Sequence, residues 1–273
     1  PCRLLALLKV LSLVGQARSA AEGAQSVCGV AGLCTPRSVE LYYWHEIGTG
    51  EQIRIALAEA GIAYKNIFVK ADSGPADSAF RIECREKGGH LTTNIPMLSI
   101  DGVYYTQSLS ILRMVGRIAG GSLYPRDDPH MQYCIDMLID TAADLRGPCY
   151  GVQFEASHSL EEVRQYFMNA VLSTHLPNIA RLLGEGPYMC GSHFTIADAS
   201  IYDVLANYVD KLFPGAIDDY PCNAPEGAVC PPSNISLRAY VDRVRSRPRI
   251  AAWLASAEYA GIPVLRLAAQ PAA

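Results

Sequence analysis

The sequence predicts a small mixed α/β unit followed by a larger all-helical one, and three observations carry that expectation. Strand signals are confined to residues 39–106, helical periodicity alone continues from residue 130 onward, and Asp101-Gly102 splits two short apolar runs as a hairpin turn would.

The elements follow in order. VELYYW, residues 39–44, is β-branched and aromatic, the composition of a strand. After HEIGTG, Ile53, Ala56, Leu57 and Ala60 recur at helical spacing and Gly61 ends the run. IAYKNIFVK, residues 62–70, reads as a second strand, and residues 71–89 as a loop with a short helix. MLSI and VYY form the arms of a hairpin around Asp101-Gly102, a pair favoured in two-residue turns because both positions take positive φ. QSLSILRMVGRIAG closes the unit as a helix stopped at Gly120-Gly121. This is a βαβ, α, ββα order with four strands in all. Beyond it, residues 130–147, 160–184, 195–213 and 236–259 read as helices. The expected division is therefore 39–121 and 122–273, with 1–38 outside the fold and a Pro/Gly-rich insertion near 216–234.

Composition narrows the function classes. Half of the 273 residues are hydrophobic and 18% are charged, so a sizeable core is expected. A formal net charge of −4 with no basic block argues against nucleic acid as a partner. No run reaches the roughly 18 uncharged apolar residues of a membrane-spanning helix, so the chain reads as soluble. Nine cysteines show no C-x-x-C and six isolated histidines no H-E-x-x-H, so no metal site is expected. Cys222 and Cys230 lie close together in the insertion, and spacing leaves a disulfide and two separate thiols equally open. Residues 1–38 combine basic residues, an apolar stretch and small residues, the pattern of a targeting segment; an N-terminal extension fits as well. A cytoplasmic location is expected, or an organelle or secretory one if that segment directs the chain, in which case the Asn234 sequon gains meaning.

Two local motifs need separate treatment. Gly48-Thr49-Gly50 stands between strand and helix as a dinucleotide fingerprint begins, but Ile53 takes the place of the third glycine and would block close helix–strand approach. Thr195 and Asp198, with Phe194 ahead of them as a candidate hydrophobic staple, spell a capping box. Its expected role is folding, at about 1 kcal/mol for either residue.

With proline ahead of its third strand, Gln107-Ser108 opening the helix after its hairpin, and a helical second domain, the layout resembles the cytosolic glutathione transferases, from about Val39 to Leu254. LYYWHEIGTGEQIRIALAEAGIAY, NIPMLSIDGVYYTQSLSILRMVGR, RPRIAAWLAS and GSHFTIADASIYDVL carry the likeness, which is nearest to the tyrosine-using, sigma-like class. The resemblance implies a thioredoxin-like N-terminal domain with a mixed four-stranded sheet and an all-α helical-bundle C-terminal domain. It implies glutathione as co-substrate, a small electrophilic or lipid second substrate, and a homodimer engaged in detoxification and glutathione metabolism. Tyr43, at the end of the first strand, would donate a hydrogen bond to the glutathione sulfur. Tyr42 is adjacent, and only one of the two can face the site because strand residues alternate. Trp44, Lys87, Asn94, Ile95, Pro96, Gln107 and Ser108 would complete the glutathione site, with Ile95-Pro96 as a cis peptide and Asp144 reaching a partner's site. Tyr150 and Phe154 would line the electrophile pocket. Ile47 stands where the family has arginine, a loss of positive charge expected to weaken thiolate stabilisation. Two other activities stay open: glutathione-dependent isomerisation, as in prostaglandin synthases, and a non-catalytic binding role on the same fold.

Overall fold

The computed structural model describes residues 36–69, 82, 95–153, 158–218 and 236–263, and these fall into two compact units. The first comprises the described residues up to His45 together with Ile62–Ile111. Its four strands, β1 (Val39–Trp44), β2 (Lys65–Val69), β3 (Met97–Ile100) and β4 (Val103–Thr106), form one mixed sheet in the order β2-β1-β3-β4. Strands β1 and β2 run parallel, and the other two pairings are antiparallel. The sequence alternation reappears as burial alternation: Val39, Leu41 and Tyr43 are buried, while Glu40, Tyr42 and Trp44 are partly exposed. Every residue of the interior strand β3 is buried.

The hairpin turn adopts the expected backbone, with φ of 49° at Asp101 and 84° at Gly102. Asp101 also holds the start of β1. Its Oδ1 accepts the Arg37 and Ser38 amides at 2.9 Å each, and its own amide donates to the Ser38 carbonyl at 2.9 Å.

The second unit contains Glu46–Gly61 and the chain from Leu112 onward. It begins with a short 3-10 turn, Gly48–Gly50, and helix α1 (Glu51–Ala60). The first seven residues of α1 are buried on every side, including Glu51, Gln52 and Arg54. Gln52 accepts a hydrogen bond from the Ser200 hydroxyl at 2.8 Å, so α1 packs among helices distant in sequence. The compact units therefore do not follow one cut through the chain. Gly61 closes α1 with φ of 68°, donating to the Leu57 and Ala58 carbonyls, and a Cβ there would meet the Arg249 guanidinium at 3.0 Å.

Helix α2 (Ser108–Ile118) starts in the first unit and ends in the second. Helix α3 (Pro129–Gln153) runs beyond the expected end at Gly147, with Leu145, Arg146 and Cys149 buried. Residues 160–183 form α4 (Leu160–Tyr166) and α5 (Ser173–Leu183) joined by a wider, π-type turn at Phe167–Leu172. A similar turn at Val204–Val209 interrupts the next stretch, between α6 (Ile196–Asp203) and α7 (Asp210–Leu212). The last expected helix is three: α8 (Leu237–Arg245), α9 (Pro248–Leu254) and α10 (Ala257–Ala260). Pro248 explains the first break, because proline starts a helix well and cannot continue one. Among the described residues no helix is long and apolar enough to cross a membrane.

Candidate functional site

The sheet register places Tyr43, Pro96 and Gln107 toward one end of the sheet. In the β1–β3 ladder the last pair is Tyr42 with Met97, the residues next to Tyr43 and Pro96. In the β3–β4 ladder the last pair is Met97 with Thr106, the residues next to Pro96 and Gln107. Tyr43, Pro96 and Gln107 therefore follow directly on the paired residues at the same end of the sheet. On the other side Tyr43 pairs with Phe68. Ile95-Pro96 is a cis peptide, as the resemblance implies, and Pro96 is buried.

Burial separates the adjacent tyrosines. Tyr43 shares the inner face with Val39 and Leu41 and is 3% exposed. Tyr42 lies on the opposite face, where its hydroxyl donates to Glu40 Oε2 at 2.7 Å and its ring sits 6.1 Å from that of Tyr104. Burial and the Glu40 carboxylate both push the Tyr42 phenol far above its usual range, which keeps it a neutral donor committed to Glu40. Trp44 is half-buried beside Tyr43.

Gln107 turns the chain from β4 into α2. Its φ of 72° is left-handed and its side chain is exposed. Its carbonyl accepts the Ile111 amide at 2.8 Å, the first bond of the helix. The amides of Ser108 and the two residues after it therefore precede the first helical donor, at the positive end of the helix dipole. That is a backbone arrangement suited to a carboxylate.

The remaining predictions fall elsewhere. Lys87, Asn94 and Phe154 lie outside the described residues, as do Cys222, Cys230 and Asn234. Asp144 is exposed on α3. Tyr150, also on α3, donates from its hydroxyl to Glu46 Oε1 at 3.3 Å. Burial raises the Glu46 carboxyl pKa, opposed by that hydrogen bond and by Arg54. Ile47 is fully buried against Trp253 and Ile262. Among the described residues no group of three or more His, Cys, Asp or Glu side chains could hold a metal ion.

Sequence reasoning missed the buried polar groups of the second unit. Glu51 accepts from Arg54 Nη1 at 3.0 Å and from Trp253 Nε1 at 2.7 Å. Arg146 Nη2 donates to Asp203 Oδ2 at 3.1 Å and to the Ser200 carbonyl at 3.2 Å. The i,i+3 spacing of Glu51 and Arg54 was readable on a helix, but nothing local announced partners 202 and 57 residues away.

The capping box forms as expected, and one of its residues has further partners. Thr195 and Asp198 do form it, with Asp198 Oδ2 accepting the Thr195 amide at 2.8 Å and Thr195 Oγ1 accepting the Ala197 amide at 3.2 Å. Asp198 does more, however: it is fully buried and its Oδ1 accepts from the Met189 amide at 2.8 Å and the Tyr240 hydroxyl at 3.0 Å. Burial pushes its carboxyl up to about 6 against these donors. Removing it leaves several buried donors unmatched, so the expected cost rises from about 1 to about 3 kcal/mol. Phe194 packs edge-on against Tyr188 and beneath the Arg247 guanidinium.

Comparison with known proteins adds an independent line. Residues 39–117 match the family model "Glutathione S-transferase, N-terminal domain", and residues 143–225 match "Glutathione S-transferase, C-terminal domain". Glutathione S-transferase 1 of Ascaris suum is 27% identical over 221 residues, covering 79% of this chain and 95% of that protein. Hematopoietic prostaglandin D synthase of Gallus gallus is 26% identical over 219 residues, covering 79% and 94%. The crystal structure of the glutathione S-transferase from Ascaris lumbricoides superposes with a TM-score of 0.63 at 25% identity, covering 83% of this chain and 98% of that one.

Proposed function

The chain belongs to the glutathione S-transferase family, and on that premise we propose that it conjugates glutathione to small electrophiles, with the Tyr43 hydroxyl stabilising the glutathione thiolate. The observation that carries this reading is the row Tyr43, Pro96, Gln107 across one end of the sheet, with the opening amides of α2 beside it. In that row Gln107 and Ser108 take the γ-glutamyl carboxylate, the backbone of Ile95 pairs with the cysteinyl segment, and Tyr43 meets the sulfur. Trp44, Asn94 and Lys87 complete the binding of glutathione.

The energetics are adequate. A thiol of pKa about 8.5 is only a few per cent ionised at pH 7. Lowering that pKa by about two units takes roughly 2.7 kcal/mol of preference for the anion. A hydrogen bond to a charged group supplies about 1.5–3 kcal/mol. The thiolate then attacks the electrophile's reactive atom, and the leaving group departs or a proton is taken up.

The reading extends to a sigma-like class, a homodimer in which Asp144 serves the partner's glutathione, an electrophile pocket that includes Tyr150 and Phe154, and a cytoplasmic location. Turnover of a chromogenic electrophile with glutathione tests it. Tyr43→Phe lowers activity at least tenfold; an unchanged rate removes Tyr43 from the mechanism. The prostaglandin D synthase relative favours a second reading, glutathione-dependent isomerisation of a lipid endoperoxide, which product analysis with that substrate separates from conjugation.

A further inference from the structure

We propose that the second unit carries a binding site of its own, between the end of α3 and the α4 stretch, for a small hydrophobic amine in its protonated form. The site is independent of the glutathione reading.

A cavity of about 680 Å³ lies there, lined from α3 by Pro148, Gly151 and Val152 and from the facing stretch by Val163, Phe167 and Val171. That volume falls within the roughly 300–1,000 Å³ of small-molecule sites, which commonly form between the helices of a bundle. Both walls carry features that open the space. A Cβ added at Gly151 would meet no atom within 4 Å, so this part of α3 presents bare backbone to open space. On the other wall the π-type turn Phe167–Leu172 widens the helix, a departure often found at functional sites. Phe167 is buried there and its ring is stacked on Phe213, with centroids 4.6 Å apart. Tyr150 belongs to a different side of α3. On a helix residues 148, 151 and 152 share one stripe and residue 150 falls opposite it, where the Tyr150 hydroxyl donates to Glu46.

The polar part of the lining selects the ligand. His158, Glu162 and Tyr166 complete it, and no Lys or Arg stands among the described residues that line the cavity. The Ser159 hydroxyl and amide hold the Glu162 carboxyl below the usual carboxylate range, with the charge of His158 adding to the effect. Both Ser159 donors go to Oε2, the hydroxyl at 2.6 Å and the amide at 2.9 Å. The rim thus presents a carboxylate beside the rings of Tyr166 and Phe167, a combination that suits an ammonium group. An apolar body covers the valines and the phenylalanine and displaces water from them.

The test is equilibrium binding to the full chain, read by fluorescence, with three probes: dansylcadaverine, which ends in an ammonium, its uncharged dansyl alkylamide analogue, and the anion anilinonaphthalene sulfonate. The cation is expected to bind about two- to fivefold more tightly than the neutral analogue, and the anion most weakly. Glu162→Gln keeps an acceptor for the capping box; it abolishes the preference for the cation and leaves the Kd of the neutral analogue unchanged. Gly151→Leu places a side chain in the open space and weakens both dansyl probes at least about tenfold. Gly147→Leu, equally open at its Cβ but outside the lining, leaves both unchanged, as does saturating glutathione. Undiminished binding in Gly151→Leu, or an equal loss in Gly147→Leu, overturns the site. Equal affinity for the cationic and neutral probes, or tighter binding of the anion, overturns the assignment of an amine. Displacement by glutathione would put the probe in the glutathione site and overturn the proposal as well. Glu162→Gln decides the matter if Gly151→Leu does not fold.

Discussion

The sheet end in the first unit and the polar interior of the second are built on opposite plans. At the sheet end the backbone does most of the work: strand register, a cis prolyl bond, a left-handed Gln107 and the free amides of a helix start set the geometry. In the helical unit side chains do it, through the buried Glu51, Arg54, Arg146, Asp198 and Asp203, with bonds spanning up to 202 residues. Backbone geometry tolerates side-chain change and presents groups to a ligand. Buried side-chain networks tolerate little change, because each lost partner strands another group away from water.

If that contrast holds, substitutions should divide into those that cost stability and those that cost binding. The largest effect is expected for Arg146→Met, which takes the guanidinium from the buried Asp203 carboxyl and leaves it with the Asn207 amide as its donor, 2.9 Å away. Urea unfolding should show a loss of about 3–5 kcal/mol, and a loss below about 1 kcal/mol would mean the pair is not structural. Asp198→Ala comes next, at about 3 kcal/mol, with activity per folded molecule unchanged.

The pH dependence of Asp198 gives a finer check. Its folded pKa, about 6, lies above the ordinary carboxylate value, so the folded state binds the proton more tightly than the unfolded chain. The contribution of this group to stability is therefore fully present below the ordinary carboxylate pKa, about 4, and is lost as pH rises from there through about 6. Asp198→Asn should flatten that part of the stability curve, and an unchanged slope would assign it to other groups. Smallest in stability is Gln107→Gly, since glycine adopts the left-handed conformation without strain. Unfolding should move by less than about 0.5 kcal/mol, while the KM for glutathione rises several-fold. An unchanged KM would take the side chain out of the site.

The same contrast explains what could be read from the sequence. Val39–Trp44, the Asp101-Gly102 turn, Gly61 and the Thr195–Asp198 box each rest on neighbours in the chain, and each appears where expected. Tyr43 could be distinguished from Tyr42 only through the family resemblance, and burial now places the two on opposite faces. The Trp253–Glu51 bond was not legible, because two helices bring together residues that share no local pattern. The helix expected to end at Gly147 continues to Gln153, because burial of Leu145 and Cys149 outweighs the local cost of Gly147 and Pro148.

The clasp of Asp101 on Arg37 and Ser38 has a practical consequence. It fixes the start of β1, and four residues of strand, about 13 Å, separate Val39 from Tyr43. The clasp therefore ties the strand down at the end of the sheet opposite the tyrosine row, so that replacing Asp101 with alanine should loosen the start of β1 before it disturbs Tyr43.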